Sequence, residues 1–196
     1  MHAHISAPRE DVFALIADVA ARPAWCDHFM KDYRLLTPRS TGVGAGARFR
    51  LDWRGGTRYV EYTIVEARSP RRIVEDGGTG RLGRTPYGAE YDLTSPSAGL
   101  TRVELTLWTD PENRIERLRE ALGFRSFVRK RSRRALDRLR AILEEDRDGP
   151  LARATIAGYE PRKAPRFGTR AGRSFRTEPD DGGLPAARPE PPKVAE

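Results

Sequence analysis

Cysteine and long apolar runs are nearly absent from this chain of 196 residues, and both absences restrict what the protein can be. Cys26 is the only cysteine, which excludes an intrachain disulfide and an intrachain thiolate metal cluster. No window approaches the roughly 20 apolar residues that a membrane-spanning helix needs. The first residues also lack the basic and apolar regions of a secretory signal. We therefore expect a cytoplasmic protein without a transmembrane segment.

Motifs for catalysis and for cofactor binding are missing as well. Only His28, of three histidines, lies well inside the chain, and no Ser/His/Asp or Cys/His arrangement can be assembled. Metal ligands at suitable spacing are not found. The glycine-rich stretches at 42–46 and 77–83 lack a following Gly-Lys-Ser/Thr, and hairpin turns explain them better. We expect no cofactor, and the sequence leaves open whether the protein is an enzyme.

Charge and composition are distributed unevenly along the chain. Lys and Arg number 36 against 28 Asp and Glu, a net charge of +8, which permits attraction to nucleic acid or anionic lipid without requiring it. Periodic patterns fill residues 1–148, which we predict to be one domain. Residues 149–167 keep a few apolar side chains and could dock on that domain as an extended strap. Residues 168–196 are rich in Pro, Gly and Arg, and we predict a disordered tail.

The apolar pattern within residues 1–148 predicts an α+β fold. Residues 2–6 look like a short edge strand, and two short helices follow it, the first opened by Pro8 and ended by Pro23. From Lys31 the period changes to two, and about six strands succeed each other through short turns. Such connections imply an antiparallel sheet with one covered face. We expect a curved sheet of six to seven strands wrapped around a long C-terminal helix.

That long helix is predicted over residues 110–145. Asp110 followed by Pro111 is a start signal, because it combines an acceptor at the N-cap with a ring that needs no N–H. At 100° per residue, the apolar residues fall on one stripe that must pack on the sheet; they are Ala121, Phe124, Val128, Ala135, Leu136, Leu139, Ile142 and Leu143. Gly123 could kink the helix or begin a second one, leaving 110–122 as a separate, mobile lid segment.

The same helix carries six basic residues between Arg125 and Arg134. The simpler interpretation is the solvated face of an amphipathic helix, since the domain core already uses the apolar stripe. The alternative is an interaction module that binds nucleic acid or a ribosomal surface through this run and the Arg-rich tail, with salt-sensitive affinity. Arg125 falls within the stripe, so its guanidinium either points into the interior or extends outward to solvent.

Several segments resemble the START-like helix-grip superfamily, and within it the polyketide cyclase/dehydrase and lipid-transport (SRPBCC) family. The resemblance covers about residues 2–145 and concerns structural signatures. They are the first-helix opening from Ser6 to Asp18, the Pro-x-Trp turn at Pro23 and Trp25, the Ser-Pro-Arg-Arg-Ile run at 69–73, the Gly-Leu-Thr-Arg-Val start at 99–103, and the Ala-Leu-x-Arg-Leu run at 135–139. The resemblance implies an apolar cavity between sheet and helix that binds lipids, polyketides or other hydrophobic small molecules, with or without conversion.

The residues expected at such a cavity are mostly aromatic or apolar. The candidate ligand-binding residues are Trp25, Phe29, Phe49, Tyr62, Tyr91, Leu105, Arg125 and Val128. For each aromatic taken alone, a core residue that only fills space is the slightly simpler interpretation. If the protein is an enzyme of the cyclase/dehydrase type, Tyr62, Tyr91 and Arg125 are the expected donors to a ligand carbonyl. His28 is either a proton carrier at the cavity mouth or a solvent-facing residue of a short helix, and the second is simpler.

Overall fold

The computed structural model describes residues 1–79, 85–111, 114–119, 123–145 and 151–158, and all structural statements below concern these residues. The chain divides into two units, Met1–Arg162 and Lys163–Glu196, and the fold is that of the first. The predicted disordered tail, residues 168–196, lies outside the described residues. Of the predicted strap, residues 149–167, only residues 151–158 are described.

One antiparallel sheet dominates the first unit, in the order β1-β7-β6-β5-β4-β3-β2. The seven strands are β1 (His2–Ile5), β2 (Lys31–Leu35), β3 (Gly46–Trp53), β4 (Gly56–Arg68), β5 (Arg72–Thr79), β6 (Thr85–Ser97) and β7 (Leu100–Thr109). The described helices are α1 (Arg9–Ala17), α2 (Pro23–Cys26), α3 (Arg114–Arg119) and α4 (Arg125–Glu144). The α+β prediction, with its antiparallel sheet and two short helices after the first strand, is confirmed.

Alternation along the strands builds the covered face of the sheet. In β3, Phe49 and Leu51 are buried while Asp52 is exposed, and in β7 Val103 is buried beside an exposed Glu104. β1 pairs with β7, so the first residues of the chain form one edge of the sheet, and β2 forms the other. The covered face thus runs unbroken beneath the helices.

Of the two alternatives for residues 110–145, one continuous helix is wrong, and a second helix that begins near Gly123 is what the structure has. The structure has two helices there, α3 and α4, and Gly123 between them adopts a φ of +127°. An α-helix needs a negative φ, so a φ of +127° is not helical. Gly123 can adopt this positive φ because glycine has no Cβ. The stripe holds within α4, where Ala135, Leu136 and Leu139 are buried. None of the described helices has the length and apolarity needed to span a membrane.

Residues 151–158 lie against the domain beside the edge strand β2. The Ala154 amide donates to the carbonyl of Ala20 at 2.8 Å, and the Leu35 amide donates to the carbonyl of Thr155 at 3.0 Å. Arg153 pairs with Asp18 at 2.5 Å. Since an unpaired edge strand invites pairing with other chains, these contacts cover a surface that would otherwise be open.

Candidate functional site

A cavity of about 580 Å³ lies between the covered face of the sheet, α2 and α4. Its volume is within the range of about 300–1,000 Å³ that is usual for small-molecule sites. Seven of the eight predicted residues line it, namely Trp25, Phe29, Phe49, Tyr91, Leu105, Arg125 and Val128. The eighth, Tyr62, does not. These seven side chains come from β3, β6, β7, α2, α4 and the turn after α2.

The cavity wall is mainly apolar and buried. Trp25 and Phe29 reach it from α2 and the turn that follows. The prediction that Pro23 ends the first helix is wrong: α1 ends at Ala17, and Pro23 is the first residue of α2, where its missing N–H costs no helical hydrogen bond. Phe49 and Leu51 contribute from β3, two residues apart and therefore on one side of the strand. α4 closes the cavity with the N-terminal part of its apolar stripe. An apolar wall of this kind favours an apolar or aromatic occupant.

Tyr62 is buried behind the wall. Its hydroxyl lies 2.7 Å from the Tyr33 hydroxyl, and the Tyr33 hydroxyl donates to the Val19 carbonyl at 2.8 Å. Tyr33 has one proton to donate, so Tyr62 is the donor between the two hydroxyls. The Tyr62 hydroxyl is therefore engaged within the core, and the interpretation of Tyr62 as a donor to a bound ligand does not fit this geometry.

Arg22, Glu75 and Tyr91 form a buried polar cluster at the inner end of the cavity. Arg22 Nη2 lies 2.5 Å from Glu75 Oε1, and both side chains are 1% exposed. Arg22 Nη1 donates to the Tyr91 hydroxyl at 2.6 Å, and Nη2 also donates to the Ile16 carbonyl at 3.2 Å. The guanidinium carbon lies 4.8 Å from the ring centroid of Trp25. Tyr91 and Trp25 both line the cavity, so the buried polar cluster supports its wall directly.

Electrostatics keep this cluster ionic and its neighbours neutral. Burial opposes the charge of Arg22, but Glu75 and the tyrosines outweigh it and hold the Arg22 pKa well above its usual range. Burial raises the pKa of Glu75, and Arg22 opposes that shift. Because Arg22 keeps its proton, a neutral Glu75 would leave a buried unpaired cation, so we assign the charged pair.

Burial also raises the pKa of the other titratable groups on the buried wall. The pKa values of Tyr91, Tyr87 and Cys26 all lie above their ordinary range. These groups are protonated near neutral pH and can donate hydrogen bonds but cannot remove protons. Two buried atoms, Trp25 Nε1 and Glu75 Oε2, have no hydrogen-bond partner among the described residues. Trp25 can therefore offer its N–H to a ligand oxygen.

The exposed lining residues mark the cavity mouth, between the N-terminal half of α4 and the end of β7. They are Thr106, Trp108, Arg125, Arg129 and Arg133. Arg125, which was expected either to point inward or to extend outward, is exposed and lies at this mouth. Its side chain is thus placed to meet a polar end of a ligand rather than to enter the apolar interior.

His28 joins the segment after α2 to α4 and does not line the cavity. Arg138 Nη1 lies 3.1 Å from its Nδ1, and its Nε2 lies 3.1 Å from the Arg131 carbonyl. A neutral ring accepts at Nδ1 and donates at Nε2, which satisfies both contacts. Burial, with Arg138 and Arg134 nearby, lowers the His28 pKa, and the Arg131 carbonyl and Asp27 oppose that shift. The sequence analysis interpreted His28 either as a proton carrier at the mouth or as a solvent-facing residue. Neither interpretation describes a half-buried ring that contacts Arg131 and Arg138 of α4.

The buried polar cluster is the part of the site that the sequence analysis missed. One signal was available, because Glu75 follows Ile73 by two residues and therefore shares the inward side of β5. A carboxylate at an inward position requires a partner, yet alternation does not say which. Among the described residues, no group of three His, Cys, Asp or Glu side chains could hold a metal ion.

Comparison with known proteins places these features in a family. A family model described as polyketide cyclase / dehydrase and lipid transport matches residues 1–144. Protein TTHA0849 from Thermus thermophilus is similar in structure, with a TM-score of 0.60 and 16% identity, over 74% of this chain and 96% of that protein. A START superfamily protein from Mycobacterium smegmatis has a TM-score of 0.52 and 11% identity, over 75% and 97%.

A plant protein has a similar structure. The ginseng major latex-like protein 151 from Panax ginseng has a TM-score of 0.52 and 13% identity, over 68% of this chain and 91% of that protein. At such identities the solved structures bear on the fold alone. No curated protein sequence matches this chain.

Proposed function

Since this chain belongs to the polyketide cyclase/dehydrase and lipid-transport family of the START-like helix-grip superfamily, we propose that it binds a hydrophobic or aromatic small molecule. The proposed site is the cavity between the sheet and α4. The observation that carries the proposal is its wall of mostly buried aromatic and aliphatic side chains around about 580 Å³. Burying the apolar surface of a ligand there provides the main favourable free energy of binding.

The polar groups on the wall support binding more than conversion. Tyr91 and Cys26 are protonated near neutral pH, and Trp25 Nε1 is a donor, so the wall presents donors to a carbonyl or hydroxyl oxygen. A cyclisation or dehydration also needs a group that removes a proton. Among the described lining residues there is no His, Asp or Glu, and we therefore favour binding or transport.

The test is to fill the cavity and measure the loss of an apolar probe. Val128 lines the cavity from α4, and a Val128→Trp substitution would occupy part of its volume. We expect the affinity for 1-pyrenebutanol, followed by its fluorescence, to fall by at least about tenfold, since excluded apolar contact lowers binding free energy by more than 1 kcal/mol. Native mass spectrometry of the purified wild-type chain would identify a ligand that co-purifies with it.

Val65 supplies the matched control. It lies on β4 with half of its side chain exposed and does not line the cavity, so Val65→Trp adds the same bulk outside the site. Wild-type affinity in Val65→Trp together with lost affinity in Val128→Trp would support the proposal. Equal affinity in wild type and Val128→Trp, with both proteins folded by circular dichroism, would overturn it.

A further inference from the structure

We infer that the natural ligand is an anionic amphiphile, held with its negative group at the cavity mouth against Arg125, Arg129 and Arg133 and with its apolar part inward. The inference rests on the proposed function and adds the charge and the orientation of the ligand. We call these three residues the arginine row. The anionic group is a carboxylate or a phosphate, both of which an arginine fork recognises.

The charged side chains among the described lining residues are all positive. The arginine row contributes three guanidinium groups to the lining, and no Asp or Glu is found among the described lining residues. The three arginines are spaced four residues apart on α4 and so lie along one side of the helix. At 1.5 Å per residue, the row spans about 12 Å of the mouth. One carboxylate or phosphate can therefore contact two neighbouring arginines of the row.

The repulsion between Arg129 and Arg133 is unfavourable without a counter-ion. Like charges four residues apart destabilise a helix by about 0.2–0.5 kcal/mol for each pair. Two arginines of α4 that do not line the cavity have carboxylate partners: Arg138 pairs with Asp27, and Arg140 lies 3.9 Å from Glu144. Arg131 and Arg134, which also do not line it, have no ion pair among the described residues. Arg129 and Arg133 have no ion-pair partner among the described residues. The chain thus leaves positive charge uncompensated at the point where a ligand enters.

The inner end of the cavity fixes the orientation. The charge of Arg22 is already balanced by Glu75 at 2.5 Å, so an anion there would meet no net positive charge. It would also lose its hydration in a buried site, which is strongly unfavourable. At the exposed mouth the same group keeps part of its water and gains the field of the arginine row. Head outward and apolar part inward is the arrangement that satisfies both ends.

The experiment compares two fluorescent probes that differ mainly in charge, 1-pyrenebutyrate and 1-pyrenebutanol. In the full-length wild type we expect the anion to bind more tightly than the alcohol, and added salt to reduce that difference. The Arg129→Gln/Arg133→Gln double variant should bind pyrenebutyrate about three- to tenfold more weakly, because two exposed ion pairs are lost. Its affinity for pyrenebutanol should fall by less than its affinity for pyrenebutyrate, because the alcohol has no charge that pairs with the arginines.

The control is Lys130→Gln/Arg134→Gln, which removes the same net charge from exposed positions of α4 that do not line the cavity. Unchanged binding of both probes by this control supports a local site. An equal loss in both double variants overturns the inference, because the effect then comes from the overall positive charge of the helix. Pyrenebutyrate binding that neither variant alters also overturns it. Tight pyrenebutanol binding without any preference for the anion overturns the inference but leaves the proposed function standing. Failure of the wild type to bind either probe contradicts both.

Discussion

Arginine is used in two opposite ways in this cavity, in the buried polar cluster and in the arginine row. Arg22 is 1% exposed, forms an ion pair with Glu75, and donates hydrogen bonds to the Tyr91 hydroxyl and the Ile16 carbonyl. Arg129 and Arg133 are exposed and have no carboxylate partner among the described residues. A buried charge must be compensated within the chain. An exposed charge is stabilised by water and stays available to pair with a ligand. The difference separates a structural arginine from a recognition arginine.

The largest effect is expected from Glu75→Gln. The substitution leaves the buried guanidinium of Arg22 without its counter-charge, which should lower the free energy of unfolding by about 3–5 kcal/mol. Urea denaturation near neutral pH measures it. Glu61→Gln is the control at an exposed pair, where Arg48 lies 3.4 Å from Glu61, and it should change stability by less than about 1 kcal/mol. Similar losses in the two variants would remove the distinction between buried and exposed arginines.

A double substitution sharpens the same comparison. Arg22→Met/Glu75→Leu replaces both charges with apolar side chains and should recover much of the stability that Glu75→Gln loses, since no charge is then left unpaired. The recovery would appear as a higher denaturation midpoint than that of the single variant. A double variant less stable than Glu75→Gln would show that the pair itself stabilises the fold.

Tyr91→Phe should have the next largest effect. It removes the acceptor 2.6 Å from Arg22 Nη1, and a lost hydrogen bond to a buried charged group costs about 1.5–3 kcal/mol. Tyr62→Phe is its counterpart, because Tyr62 makes a neutral hydrogen bond to Tyr33 and does not line the cavity. It should cost about 1 kcal/mol and leave pyrenebutanol affinity unchanged. Reduced affinity in Tyr62→Phe would contradict the placement of its hydroxyl behind the wall.

Much of the fold was predictable because it depends on periodicity within single elements. Alternation in β3 and β7 gave the buried side of the sheet, and helical spacing gave the stripe of α4. The same local information pointed to seven of the side chains that line the cavity. The turn at Gly123 was visible as a possible break, but the sequence alone does not report the φ of +127° that decides it.

The features that could not be predicted depend on contacts between residues that are far apart in the sequence. Arg22 and Glu75 are 53 positions apart, and His28 meets Arg138 across 110 positions. Alternation gives the side of the strand on which Glu75 and Tyr62 lie, but not the neighbour that each contacts. Tyr62 shows the limit, because it is buried on the covered face as expected, yet its hydroxyl bonds Tyr33 and its side chain does not line the cavity.

A smaller effect is expected from the charge state of His28. Its pKa in the folded protein is lowered below the ordinary value of 6.5, mainly by burial. The contribution of the neutral ring is therefore fully present above that value and is lost as the pH falls through the folded pKa. The free energy of unfolding should decrease between about pH 7 and about pH 5, and His28→Gln should reduce this slope. An unchanged slope would show that other groups cause the pH dependence.

The smallest effect on stability is expected from Arg129→Gln/Arg133→Gln. Each substitution removes like-charge repulsion at the mouth and breaks no ion pair among the described residues, so the ligand-free protein should gain up to about 0.5 kcal/mol. The sign is opposite to that of Glu75→Gln, and the gain should disappear at high salt because salt already screens exposed charges. Thermal denaturation at low and high salt measures it. A loss of more than about 1 kcal/mol would show that these arginines hold the fold together, and the mouth would then have no uncompensated charge to offer a ligand.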